Sequence, residues 1–290
     1  MNIVTGASGR VGSALVGELH RRGMPVIAVI RDKDKAGMFG DGVQVRIADI
    51  FNANVLAQAF NGGSAAFLVT PENMYSEDVI GDAEKVIENY RKAVIASGIK
   101  RIVGLSSMGA HLGEGSGNLY ISYLLEKAFE DLPVQTTFIR TAYYFSNWLG
   151  YLDLAKEHGI LPTFFNPDQK IAMVSSADVA QFAAIVLRSK ALSAPVYEIT
   201  SPVEYSSNDL ARIFSTYLNR EVVAQQIPQE QWIPTLQNIG FSDDAARNMA
   251  LMTQTVVDTK VFGEKPENLI LWNTDMREYL ATVEEMKFIR

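Results

Sequence analysis

The first 140 residues alternate short apolar runs with amphipathic stretches, and this alternation restricts the fold more than any other feature of the sequence. The apolar runs predict β-strands at residues 2–5, 25–30, 43–47, 65–69, 101–106 and 135–139. Because these runs are almost wholly apolar, they are typical of a parallel sheet that is covered on both faces. Apolar spacings of three and four predict helices at residues 10–22 and 78–97, and Gly98 follows the second helix as a C-cap. The order predicts an α/β fold with a doubly wound parallel sheet of the Rossmann type.

The pattern changes after Arg140, where aromatic residues and prolines predict irregular structure. Ser175 and Ser206 each begin a polar sequence typical of helix N-termini, and residues 196–200 predict a further strand. We expect a sheet domain and a smaller C-terminal substrate lobe that covers the mouth of the sheet. The predicted ranges are residues 1–148 and 171–200 for the sheet domain, and residues 149–170 and 201–290 for the lobe.

Composition excludes several classes of function. The chain has 33 Asp and Glu against 26 Lys and Arg, a formal net charge of −7, which argues against binding of phosphate backbones. It has no cysteine, which excludes disulfides, thiolate metal ligands and a catalytic thiol, and its three histidines are scattered. The first residues lack the pattern of a signal peptide, and no apolar run is long enough to span a bilayer. We expect a cytoplasmic protein with no nucleic-acid, membrane or metal partner.

A glycine-rich turn follows the first predicted strand directly and opens the first predicted helix. Its sequence is Gly6-Ala7-Ser8-Gly9-Arg10-Val11-Gly12. Glycine permits positive φ angles and a close approach of the backbone to a pyrophosphate, and the helix N-terminus supplies free N–H groups and a partial positive charge. The turn therefore predicts that the sheet domain binds a dinucleotide. The predicted contacts are Gly6, Ser8, Gly9, Arg10, Val11 and Gly12.

The spacing of these glycines, G-x-x-G-x-x-G, resembles that of the NmrA-like family of atypical short-chain dehydrogenase/reductases. Three further segments carry the resemblance, at residues 28–36, 45–49 and 138–147. The resemblance implies a nicotinamide dinucleotide with Asp49 near its adenine and Lys127 at a ribose. It also implies that the loop after the sixth strand, with Tyr143, lies beneath the nicotinamide. Thr70, directly after the fourth predicted strand, is expected to complete the cofactor contacts.

Two cations after the second predicted strand favour NADP(H) over NAD(H). Arg31 follows Gly12 by 19 residues, and Lys35 lies one helical turn beyond it. NADP sites place an arginine at this point to accommodate the 2′-phosphate, whereas NAD sites place a carboxylate on the ribose hydroxyl. Asp32, directly beside Arg31, leaves NAD(H) as the less favoured alternative.

Tyr123 and Lys127 form the single Y-x-x-x-K motif of the sequence. Residues four apart share one face of a helix, so the ammonium can favour the phenolate and let the tyrosine exchange a proton with a carbonyl substrate. Ser106 and Ser107 end the fifth predicted strand, where the wider superfamily keeps a hydroxyl that polarises the substrate. We predict Tyr123, Lys127 and Ser107 as catalytic residues. The alternative for Tyr123 is an ordinary helix aromatic, because the NmrA-like family often has another residue there.

An aromatic cluster follows the sixth predicted strand, at the end of the sheet where open α/β proteins bind ligands. Tyr144, Asn147 and Trp148 are predicted to bind a flat apolar substrate, with core packing as the alternative for the aromatic rings. The expected function is hydride transfer from NADPH to a small, flat, quinone-like or carbonyl acceptor.

Two other functions remain open at this point. A regulatory sensor would bind the dinucleotide without turnover and act through a protein partner, and a homodimer is also compatible with the sequence. A nucleotide-sugar epimerase or dehydratase would share the glycine turn and the Y-x-x-x-K motif. Arg31 weighs against that second alternative, because those enzymes generally keep a bound NAD.

Overall fold

A parallel sheet of eight strands forms the centre of the computed structural model. Residues 1–189, 191–259 and 267–288 are described, without the side chains of 259 and 283–288. In spatial order the strands are β13 (Leu269–Leu271), β10 (Val196–Thr200), β6 (Gln135–Thr141), β5 (Arg101–Ser107), β4 (Ala65–Leu68), β1 (Asn2–Val4), β2 (Val26–Ile30) and β3 (Gln44–Ile47). All neighbouring pairs are parallel. The order reverses between β1 and β4, which makes that point the topological switch of the sheet.

Helices cover both faces of this sheet, with α1 (Arg10–Arg21) and α7 (Ser176–Arg188) on one face and α2 (Ala53–Ala59), α3 (Val79–Ser97) and α4 (Leu119–Lys127) on the other. The other described helices are α5 (Ser146–Leu149), α6 (Leu152–His158), α8 (Ser207–Leu218), α9 (Trp232–Asn238), α10 (Asp243–Thr259) and α11 (Met276–Phe288). Successive strand residues point to opposite faces, so Val4 packs with Leu15 of α1, whereas Ile3 packs with Leu56 of α2 and Tyr90 of α3. The predicted doubly wound α/β fold is confirmed. None of the described helices has both the length and the apolar character needed to cross a membrane.

The helix-terminal signals of the sequence act as expected. Gly98 ends α3 with a positive φ of 69°, and its N–H donates to Val94 O at 3.1 Å. Ser175 caps α7 by accepting from Ala177 N at 3.1 Å. Ser206 and Asp209 form a full capping box at the start of α8. These local rules therefore set where three helices begin or end.

A smaller lobe packs beside the carboxyl edge of the large sheet. Its strands are β7 (Tyr143–Tyr144), β9 (Ile171–Val174) and β11 (Glu204–Tyr205) in one sheet, and β8 (Ile160–Thr163) paired with β12 (Val223–Gln226) in another. Phe145, Trp148, Leu161 and Phe214 lie in its core, with residues of α8 and α11. The lobe thus has a hydrophobic cluster of its own.

The sheets of the structure pair strands across the predicted domain ranges. β13 lies in the range assigned to the lobe, yet it pairs with β10 at the edge of the large sheet. β9 lies in the range assigned to the sheet domain, yet it pairs with β7 and β11. Residues 190, 260–266 and 289–290 of the predicted ranges lie outside the described residues. The chain therefore passes between the large sheet and the lobe more often than the predicted ranges imply.

Candidate cofactor and substrate site

Two adjoining cavities lie at the topological switch point, where the carboxyl ends of β1 and β4 diverge. The larger has a volume of about 530 Å³ and the smaller about 230 Å³. Both are lined by Gly6, which follows β1, and by Val69, which follows β4. In open α/β sheets this crevice is the place where ligands bind.

A buried polar network holds the two strand ends in place. Val69 N donates to Thr5 Oγ1 at 3.0 Å, and Thr5 Oγ1 donates to Phe67 O at 3.1 Å. The hydroxyl of Tyr90, on α3, donates to Val69 O at 2.7 Å. Burial raises the pKa of Tyr90, so its hydroxyl keeps the donated proton. The walls shared by the cavities are therefore fixed from α3 as well as from the sheet.

The glycine turn has the backbone geometry that an anion site requires. Gly6 has a φ of +58°, which L side chains rarely adopt. A Cβ on Gly12 would lie 2.2 Å from Gly6 O, so the turn closes tightly onto α1. The first helical bond runs from Ser13 N to Gly9 O at 2.8 Å, which leaves the preceding amides of α1 without helical acceptors. Those free amides line the smaller cavity, as expected for a pyrophosphate site.

Arg31, directly after β2, lines the larger cavity. The neighbouring Asp32 carboxylate accepts from Asp34 N at 3.0 Å and caps the turn that follows. Lys35 is exposed in that turn and does not line either cavity. Arg31 is therefore the cation in the lining of this cavity. Asp32 Oδ1 is bound to the backbone N–H of Asp34.

Asp49 shapes the wall of the larger cavity without lining it. Its carboxylate accepts from Phe51 N at 3.0 Å, and Phe51 contributes to the lining. Ser8 also lines this cavity, as the glycine turn predicts. Ala48 and Ile50 give the same wall an apolar surface, which suits a flat aromatic base.

The smaller cavity runs from the glycine turn to the lobe. Tyr144 and Asn147 line it, and Arg10 Nη1 donates to Ser146 Oγ at 3.1 Å across it. Burial raises the pKa of Tyr144 to about 12. Its hydroxyl is buried, and the side chain of Thr141 lies beside it. This end of the cavity therefore includes an aromatic side chain and an amide in its wall.

Two of the predicted aromatic contacts turn away from the cavities. Tyr143 packs edge-on against Trp148 and Phe165, with ring centroids 6.1 Å and 5.7 Å apart. Trp148 is 2% exposed and belongs to the core of the lobe. Successive strand residues point to opposite sides, so Tyr144 faces the cavity while Tyr143 faces the lobe.

A carboxyl that was not among the predicted site residues lies on the wall of the larger cavity. Glu72 follows β4 by four residues, and its Oε2 accepts from Asn118 Nδ2 at 2.6 Å. Glu72 is an exposed residue, and the partial loss of hydration on the cavity wall raises the pKa of its carboxyl. Thr70, a predicted cofactor contact, does not line the cavities, and its buried Oγ1 has no hydrogen-bond partner among the residues that the structure describes. The one available sequence signal for Glu72 was its place beyond the carboxyl end of a central strand.

The structure does not bring Tyr123 and Lys127 to either cavity. Lys127 is half exposed, and its Nζ pairs with Glu130 Oε1 at 2.8 Å. The ammonium also lies 5.8 Å from the centre of the Tyr123 ring. Ser107 Oγ donates to Met108 O at 3.0 Å, and it too lies outside the cavity walls. The catalytic role of these three residues stays a prediction.

A buried ion pair sets the rotation of α4 that turns Lys127 outward. Glu126, the residue before it, accepts from Arg140 Nη2 at 2.7 Å and from Ser106 Oγ at 2.6 Å. Adjacent helix residues are about 100° apart around the axis, so a side chain next to an inward glutamate faces elsewhere. Ser106 is thereby bonded inside the fold. Among the described residues, no group of three or more His, Cys, Asp and Glu could hold a metal.

The sequence model of the NmrA-like family matches residues 2–285, almost the whole length of this fold. The chain belongs to the NmrA-like family. The resemblance predicted from the glycine turn and three further segments is thereby confirmed.

Three similar proteins illustrate the range of this likeness. Quinone oxidoreductase 2 of Escherichia coli (strain K12) is 26% identical over 254 residues, 86% of each chain. An NAD(P)H azoreductase of Xenophilus azovorans is 24% identical over 258 residues, 86% of this chain and 85% of its own. The crystal structure of the Citrobacter sp. triphenylmethane reductase complexed with NADP(H) has a TM-score of 0.78 and 23% identity, and covers 97% of this chain and 99% of its own. The NmrA-like chain therefore shares its complete fold with that reductase.

Proposed function

We propose that this NmrA-like protein is an oxidoreductase that binds NADP(H) along the two cavities and directs hydride to a small, flat, quinone-like or carbonyl acceptor. The observation that carries the proposal is the meeting of the two cavities at the switch point, beside the free amides of the glycine turn. A dinucleotide has two ends joined by a pyrophosphate, and this arrangement offers a compartment for each end. The pyrophosphate would lie at the start of α1, between them.

The two ends of the dinucleotide can be assigned from the cavity walls. The adenosine half fits the larger cavity, with the apolar wall formed by Ala48, Ile50 and Phe51. The nicotinamide half fits the smaller cavity, between Leu105 and Tyr144. The hydrogen bond from Arg10 to Ser146 joins the glycine turn to the lobe at this point and can hold the lobe over the bound cofactor.

The phosphorylated cofactor is favoured by the charges at the end of β2. Arg31 lines the cavity and can donate charge-assisted hydrogen bonds to a 2′-phosphate. A ribose-binding carboxylate would have to face the cavity, but Asp32 does not line it, whereas Arg31 does.

A flat, electron-poor acceptor suits the remaining wall of the smaller cavity. Tyr144 contributes an aromatic side chain there, and Asn147 adds an amide. Hydride transfer asks little of the protein beyond orientation and the exclusion of water. Quinones, azo compounds and triphenylmethane dyes, which give the three similar proteins their names, are conjugated molecules that can accept a hydride. We infer that this chain takes a small-molecule substrate of the same kind.

The test is NADPH oxidation by the purified protein in the presence of menadione, an azo dye, crystal violet and an aldehyde, each alone. We expect turnover with at least one conjugated acceptor, and slower turnover when NADH replaces NADPH. Tight NADPH binding without turnover on any of these acceptors would instead indicate a sensor that acts through a protein partner. Absence of dinucleotide binding would overturn the proposal altogether.

A further inference from the structure

The larger cavity has two walls, which come from opposite sides of β1 and β2. The residues that follow β3 form one wall, where Ala48, Ile50 and Phe51 give the apolar surface assigned above to the adenosine half. The loop between β4 and α3, residues 69–78, forms the other wall. Because β4 and β3 flank β1 and β2 in the sheet, these walls face each other across the strand ends. A flat base between them therefore turns one face to each wall.

Tyr75 is the aromatic residue that the β4–α3 loop adds to this cavity. Among the described residues, the aromatic side chains in the lining are Phe51, Tyr75 and Tyr90. Phe51 belongs to the other wall, and Tyr90 is fully buried with its hydroxyl bonded to Val69 O. Tyr75 is 70% exposed, more than any other large apolar side chain of the described residues. The exposed ring at this cavity is therefore that of Tyr75.

The ring of Tyr75 has no aromatic or cationic partner among the residues that the structure describes. A Cβ on Gly240 would lie 3.9 Å from Tyr75 Cε1, so the turn between α9 and α10 approaches one edge of the ring with a residue that lacks a side chain. Aromatic surface in contact with water is stabilised when another apolar surface covers it. Tyr75 therefore offers stacking capacity that the folded chain does not use.

The backbone that carries Tyr75 is held in place by the segment that joins α9 to α10 and by the start of α10. Ser242 N donates to Met74 O at 2.9 Å, directly before Tyr75. Asp244 Oδ2 accepts from Val79 N at 2.7 Å, where the loop enters α3. A ligand that contacts Tyr75 therefore has little backbone to order, which preserves the affinity gained from the contact.

We propose that Tyr75 stacks on the adenine of the dinucleotide, so that the base lies between this ring and the wall of Ala48, Ile50 and Phe51. This inference rests on the proposed function of the chain. A purine stacks on an aromatic ring through its π-face, without any need for the phenol hydroxyl. Tyr75 thus contributes affinity for NADPH and NADH alike, whereas Arg31, in the lining of the same cavity, selects NADPH through its phosphate.

The decisive variants are Tyr75→Ala and Tyr75→Phe, titrated with NADPH, with NADH and with adenosine 2′,5′-bisphosphate, which carries only the adenine half. Tyr75→Ala should raise all three Kd values about 5- to 150-fold, the usual loss of a base–aromatic stack. Tyr75→Phe keeps the ring and should stay within about threefold of wild type. Ile239→Ala is the matched control, because Ile239 is 62% exposed beside Gly240 and lines neither cavity. Since these side chains are exposed, the Tm of each variant should stay within about 2 °C of wild type.

Tyr75→Trp gives an optical test of the same contact. Adenine stacked on an indole ring quenches its fluorescence. We expect adenosine 2′,5′-bisphosphate to quench the tryptophan emission of this variant more than that of wild type. The tryptophans of wild type are buried or half-buried and line neither cavity: Trp148, Trp232 and Trp272.

Several results would overturn the inference: unchanged affinities in Tyr75→Ala, an equal loss in Tyr75→Phe, or no added quenching in Tyr75→Trp. A loss confined to the two dinucleotides, with the bisphosphate unaffected, would also overturn it, because the ring would then contact the nicotinamide half. If the bisphosphate binds wild type too weakly to titrate, the dinucleotide affinities of the same variants decide. Wild-type protein that binds neither NADPH nor NADH would overturn the proposed function itself, and the inference with it.

Discussion

Gly9→Val should abolish dinucleotide binding and leave the fold intact. A Cβ on Gly9 would meet a single atom within 4 Å, Gly6 O at 3.2 Å, and its φ of −84° and ψ of 173° suit a β-branched residue. Gly9 is the N-cap of α1 without a side-chain bond, so valine there should cost about 0.5–1 kcal/mol of stability. That corresponds to about 1–2 °C in Tm for a chain of this length. The new methyl groups would occupy the wall of the smaller cavity where a pyrophosphate must reach the amides of α1.

Two lost hydrogen bonds to a charged phosphate, at about 1.5–3 kcal/mol each, correspond to a rise of about 10²–10⁴-fold in Kd. The assay is calorimetric titration with NADPH, together with thermal unfolding of each variant. Gly17→Val is the matched control, because Gly17 lies in the same helix and a Cβ there would meet no atom within 4 Å. A folded Gly9→Val protein that binds NADPH within threefold of wild type would refute the location of the site.

Three further predictions follow from single side chains. Arg31→Ala should raise the Kd of NADPH about 10- to 100-fold and leave that of NADH within threefold, because the lost contact is to the 2′-phosphate; Lys33→Ala is the control, and equal losses for both cofactors would contradict the assignment. Lys127→Ala should change the NADPH Kd less than threefold, since Lys127 pairs with Glu130 outside the cavities; a tenfold loss would place it at the ribose after all. Glu126→Ala should leave the Arg140 guanidinium without the carboxylate of its closest ion pair. The free energy of unfolding should fall by about 3–5 kcal/mol, which corresponds to about 5–8 °C in Tm by thermal unfolding. An unchanged Tm would show that the pair contributes little.

Local rules were enough to predict the first six strands of the large sheet. These strands lie within two residues of their predicted positions, and the clearest of them, β2 and β4, are buried and apolar along their whole length. The ends of α3, α7 and α8 follow from capping residues whose bonds span only a few positions. The glycine turn follows from backbone sterics at Gly6 and Gly12, which are likewise local.

Features of the site that depend on contacts between residues far apart in the sequence could not be predicted from local patterns. The rotation of α4 is set by Arg140, which lies 14 residues from Glu126, and a Y-x-x-x-K motif carries no information about that pair. The aromatic pair Tyr143 and Tyr144 alternates across a strand, but the sequence does not say which side is the cavity. Glu72 becomes notable only when Asn118, 46 residues away, is beside it.

The most direct test of the account is the affinity of the wild-type protein for NADPH and for NADH at low and high salt. We predict that NADPH binds at least about tenfold more tightly than NADH at low ionic strength, because Arg31 would contact the 2′-phosphate. The difference should shrink near 1 M salt, where the Debye length falls to about 3 Å and the exposed contact is screened. Equal affinities at low salt, or a preference for NADH, would contradict the central claim that the two cavities form an NADP(H) site.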